Sequence, residues 1–126
     1  MRLGFVAALA CAWAGAAAAA DYAGPLFDTH LQAVELLRDT SHVRDYSVAE
    51  WHTALTQAGF TVRAVRTWRL HLEFSSWVAR MQTPAEHITA VRALQAAAAA
   101  ETRAYFGVEP DGSFWLDVAM LEATAG

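Results

Sequence analysis

Apolar side chains recur at helical spacing in several stretches of the chain and at alternating spacing in two, and these periods set the expected elements. Phe27, Leu31, Val34 and Leu37 share one helical face, with Asp28 as the expected N-cap and an end near Arg38-Asp39. Ser47 followed by Glu50 is a capping box, and Val48, Trp51 and Leu55 then repeat until Gly59 supplies a stop. From Phe60 the period drops to two. Phe60, Val62, Ala64, Trp68, Leu70 and Leu72 fall on one face, and Thr61, Arg63, Thr67, Arg69 and His71 on the other. Arg66 interrupts the apolar face and marks a candidate bulge. "SSWVARM" predicts a short helix with Trp77 and Met81 one turn apart. In "TPAE", Thr83 is the expected cap, Pro84 the first helical position and Glu86 the partner in a second capping box. Ile88, Val91, Leu94 and Ala98 form the stripe of this helix, which runs to Gly107. "EPDG" predicts a turn, and Phe114, Leu116, Val118 and Met120 a closing strand. The pattern therefore gives two strands and three or four helices, without internal repeat or flexible linker.

Composition changes this picture mainly at the N-terminus. The 126 residues suit one folding unit. Residues 1–20 are an alanine-rich leader, with one arginine, an apolar run and Ala18-Ala19-Ala20 before Asp21, the layout of a secretory signal peptide or of a mis-called start. Residues 21–126 are the expected globular region.

The net charge of −4, with arginines scattered singly, offers no stripe to neutralise a phosphate backbone, which argues against nucleic acid as a partner. All nine basic residues are arginine, so lysine chemistry is excluded. Cys11 is the single cysteine, and neither a disulfide framework nor a cysteine zinc cluster follows. The five histidines show no zinc-helix spacing. Asp28 and His30 in "FDTH" resemble the metal-binding start of exported amidohydrolases, but Gln32 stands where that motif has its second histidine, and the barrel needs about 250 residues. No nucleophile elbow and no glycine-rich strand-to-helix loop is present. His42, Arg44 and Asp45 beside Tyr46 form either a polar rim or a solvated loop before the capped helix.

Four segments in order, "RDTSHVRDYS", "EW" followed by "AGF", "RLHLEFSSWVARMQTP" and "DGSFWLD", resemble the C-terminal portion of class I S-adenosylmethionine-dependent methyltransferases of the ubiquinone/menaquinone-biosynthesis type and their small-molecule relatives. The resemblance implies an α/β, Rossmann-like fold whose antiparallel sixth and seventh strands are Phe60 to Leu72 and Gly112 to Met120. Ser75 to Tyr105 would be helical material between them on the substrate side. As a stand-alone chain this is an α+β arrangement of a strand pair plus helices. The family's cofactor residues lie upstream, in a glycine-rich turn and an acidic strand end that this chain lacks. S-adenosylmethionine is thus the family's cofactor, and none is expected to bind this chain alone. The substrate-side residues implied are His42, Arg44, Tyr46, Trp68, Trp77, Arg80 and Met81, with no general base assigned.

The resulting expectation is a partial methyltransferase acting on a small molecule and inactive by itself, with an exposed edge on the seventh strand through which it could self-associate. An exported small binding or interaction protein is the alternative, followed by a metal-dependent hydrolase fragment. The methyltransferase reading implies a cytoplasmic location; a genuine leader would imply a periplasmic or secreted one.

Overall fold

The computed structural model describes residues 5–10 and 23–125. Along the chain the elements are β1 (Phe5–Ala10), α1 (Ala23–Arg38), α2 (Val48–Gln57), β2 (Phe60–Leu72), α3 (Phe74–Arg80), α4 (Ala85–Ala97), α5 (Ala100–Phe106) and β3 (Phe114–Ala125). They divide between two compact units.

The first unit is a sheet carrying one helix. It holds β1, α2, β2 through Arg69 and β3 from Asp117. The strand order is β1-β3-β2. β1 is antiparallel to β3, with Phe5 opposite Thr124 and Ala10 opposite Ala119. Between β3 and β2, Arg63 meets Thr124 and Arg69 meets Asp117, so residue numbers rise on one strand as they fall on the other, as in an antiparallel pair. This arrangement corrects the expected exposed edge on the seventh strand. β3 is the middle strand, because Phe5–Ala10, inside the expected leader, occupies the edge left vacant in the sequence reading. The rest of the leader, including the Ala18-Ala20 cleavage signal, lies outside the described residues.

α2 starts as its residues require. Ser47 Oγ accepts from Glu50 N at 3.1 Å while Glu50 Oε1 accepts from Ser47 N at 3.2 Å, so both members of the capping box are present. Gly59, with φ +91°, follows the helix into β2. Val48, Trp51 and Leu55, one per turn, pack on the buried Ala119 and Leu121 of β3. That contact explains a slip in the expected alternation. Val118 and Ala119 are both buried, and Leu121 and Ala123 follow, while Met120 is only partly covered. A central strand with covered faces loses the simple period of two.

The second unit is helical. Leu31, Val34, Leu72, Phe74, Trp77, Val78, Val91, Phe106, Phe114 and Leu116 form its buried apolar set, and α1 packs on α4 and α5. Several helix ends differ from expectation. α1 begins at Ala23, five residues before Asp28, because Pro25 sits in the first turn, where a missing N–H costs nothing. α3 begins at Phe74, capped by Glu73, whose carboxylate accepts from Ser75 N at 3.1 Å and Ser76 N at 2.7 Å. The second capping box does not form: Thr83 Oγ1 donates instead to Arg38 O at 2.8 Å, and Pro84 caps α4 without a side-chain bond. The long helix expected from Pro84 to Gly107 is two. Ala98 and Ala99 are extended (ψ 149° and 150°), and after this break Thr102 and Phe106 of α5 are buried. Alanine propensity favours continuity, so packing has overridden it. The buried positions of α4 are Val91 and Gln95, and Leu94 is exposed.

Candidate functional site

The seven expected substrate-side residues fall in both units, and each unit is described on its own. In the sheet unit, Tyr46 precedes the Ser47 cap of α2 and lies edge-on to Trp51, ring centroids 5.7 Å apart. These two rings, with Ala49, Thr53, Ala54 and Gln57, border a shallow apolar depression along α2. Trp68 is on the second half of β2, 42% exposed. The apolar face read from alternation is therefore only partly covered: Phe60, Val62 and Ala64 are half-buried, whereas Trp68 and Leu70 are exposed.

In the helical unit, His42 and Arg44 join a network that starts on α1. Arg44 donates to Asp28 Oδ2 at 3.1 Å. Gln32 Nε2 donates to the other oxygen of Asp28 at 3.0 Å, and Gln32 Oε1 lies 2.8 Å from His42 Nε2. Because the Gln32 amide nitrogen is the donor toward Asp28, its oxygen must accept from His42, which places a proton on His42 Nε2. Asp28 and Gln32, four residues apart on one face of α1, thus hold both candidates from the following loop. The sequence reading used Asp28 as a helix cap and missed this role; the spacing of Asp28 and Gln32 was its only signal.

Trp77 is not a pocket wall. It is 1% exposed, wedged against Phe74 and Phe114, and Arg38 fixes it twice: the guanidinium lies 5.0 Å over its ring and Nε donates 2.9 Å to its backbone oxygen. This corrects the substrate-side expectation for Trp77, since a large indole stabilises more as core than as rim. Arg80 and Met81, at the end of α3, are exposed, with Arg80 Nε donating to Ser76 O at 3.3 Å.

The "FDTH" pair does not converge. Asp28 is engaged by Arg44 and Gln32, while His30 lies against Phe106 at 5.3 Å between centroids. Burial holds the His30 pKa below its ordinary value, because the charged form is poorly solvated there.

The chain is 48% identical over 99 residues to the uncharacterized Escherichia coli protein YafE, a match covering 79% of this chain and 48% of that one. It is 32% identical over 62 residues to the uncharacterized Bacillus subtilis methyltransferase YcgJ, covering 49% and 24% respectively. No protein-family model matches the chain. Among solved structures, a candidate methyltransferase from Bacillus halodurans superposes with a TM-score of 0.82 at 21% identity, over 98% of this chain and 56% of that one. The fold is that of the C-terminal portion of a class I methyltransferase. The Bacillus subtilis YcgJ structure agrees, with a TM-score of 0.75 at 22% identity over 96% of this chain and 50% of that one. The chain spans about half the length of these structures and of YafE.

Free backbone amides at a strand-to-helix turn can hold an anionic group. At the β2–α3 turn the Ser75 and Ser76 amides are occupied by the Glu73 carboxylate. Those amide bonds and the Ser76 hydroxyl lower the Glu73 pKa to about 2, with the hydroxyl the largest cause. A fixed negative charge therefore takes the amides that this turn could offer to an anionic group. Among the described helices, none is long and apolar enough to cross a membrane.

Proposed function

We propose that this chain is the substrate-side part of an S-adenosylmethionine-dependent methyltransferase acting on a small molecule in the cytoplasm. The observation that carries the reading is the asymmetry of the structural match: nearly the whole chain superposes on the Bacillus halodurans protein, yet only 56% of that protein is matched. The missing share is where the family's cofactor turn is expected. The contribution of this chain to methyl transfer is orientation of a substrate atom and exclusion of water. His42 and Arg44, held by Asp28 and Gln32, are its best-positioned polar groups, and Arg80 and Met81, at the end of α3, are exposed candidates. By itself the chain is inactive.

Isothermal titration calorimetry of the purified chain with S-adenosylmethionine tests this. No binding heat is expected. A chimera joining the N-terminal half of YcgJ to this chain is expected to bind the cofactor. Saturable binding by the chain alone would overturn the reading.

A further inference from the structure

A groove of about 810 Å³ runs between α4 and α5 in the helical unit, closed at one end by the turn from Glu109 to Gly112. That volume lies within the range of small-molecule sites. Ala96 on α4 and Ala100 and Ala104 on α5 give it a small, apolar floor. Two guanidinium groups, Arg92 and Arg103, line it. Arg92 is held in place: it donates to Asp111 O at 2.8 Å and stacks 4.1 Å over the Phe74 ring. The Arg103 side chain has no hydrogen bond, ion pair or ring contact among the described residues. The one acidic residue of the lining, Glu109, is 2.9 Å from His71 Nε2 and so is already engaged. The last carbonyls of α5 do not oppose an anion either, because the Gly107 and Val108 amides take those of Ala104 and Arg103. In a chain of net charge −4, this groove carries two cations against one engaged carboxylate.

We propose that the groove binds a small organic carboxylate. Arg103, supported by Arg92, grips the carboxylate, and the body of the molecule lies on the alanine floor. A guanidinium fork matches the two oxygens of a carboxylate, and the apolar floor rewards a carbon skeleton, which inorganic phosphate lacks. The inference is independent of the methyl-transfer reading.

The test is titration of the full chain with benzoate, benzamide and inorganic phosphate, followed by calorimetry. Benzoate is expected to bind saturably, more tightly than either of the others. Arg103→Gln is expected to weaken benzoate at least tenfold, since a hydrogen bond to a charged group accounts for about that factor or more. Ala104→Leu, which fills the floor, should abolish binding while leaving the thermal transition in place, and Arg63→Gln, on β2, should change nothing. Benzamide binding as tightly as benzoate, or benzoate binding indifferent to Arg103→Gln, would overturn the charge recognition. Phosphate binding as tightly as benzoate would overturn the role given to the alanine floor.

Discussion

Gly59 and Gly112 share a positive φ but not a neighbourhood, so an alanine at each separates two costs that are usually confounded. Their φ values are +91° and +92°. A Cβ at Gly59 would meet nothing within 4 Å, whereas at Gly112 it would lie 2.8 Å from Phe74 Cδ2 and 3.0 Å from Gln95 Oε1. Both alanines carry the left-handed penalty, about 1–2 kcal/mol, partly offset by a stiffer unfolded chain, about 0.4–1 kcal/mol. Only Gly112→Ala adds overpacking, about 1–3 kcal/mol. It also disturbs the buried bond from Gln95 Nε2 to Gly112 O, 2.9 Å long, for about 1 kcal/mol more. The expected losses are roughly 1 kcal/mol at Gly59 and roughly 3–5 kcal/mol at Gly112. Phe74 is itself 2% exposed and stacked under Arg92, so it has little room to yield. Urea unfolding followed by circular dichroism measures both variants against the parent. Equal losses would refute the reasoning, because they would mean that Phe74 and Gln95 move aside without cost.

Ser47→Ala removes one side of the α2 capping box and should cost about 1 kcal/mol in the same assay, with Glu50→Ala less than additive because the two bonds are reciprocal. Two pH windows are also expected. His30 has a folded pKa below 6.5, so the unfolded state takes up protons first; its contribution is complete above pH 6.5 and declines as pH falls, and His30→Asn should flatten that slope. Glu73 contributes fully above about 4.5 and loses its contribution as pH falls through about 2, so Glu73→Gln should remove the acid-side decline.

The best-read elements were those whose signals are local. The α2 capping box, the bounds of β2 and the 109–112 turn depend on residues a few positions apart, and all three formed. β1 was not legible, because an alanine-rich run has no strand period, and only its register against β3 makes it a strand. The Ala98–Ala99 break was equally hidden, since nothing in five consecutive alanines marks where packing turns the chain. At the candidate site, residue type pointed to His42 and Arg44, but their holders on α1 appear only when the loop folds back to Asp28 and Gln32. Trp77 was placed on the substrate side by the family resemblance alone, and a resemblance does not say whether an indole lines a cavity or fills the core, where this one is buried.

The position of β3 between two strands that both precede it in the chain has a consequence for biosynthesis. Neither β1 nor β2 has its sheet partner until β3 leaves the ribosome. At about 5–20 residues per second, the segment separating β2 from β3 takes roughly 2–8 s to synthesise. During that interval the apolar Phe60, Val62 and Ala64 of β2 have neither strand nor, through β3, a covered face. The nascent chain is then most exposed to mispairing, and a chaperone holding β2 until Phe114–Ala125 arrives would act at the step this topology makes vulnerable.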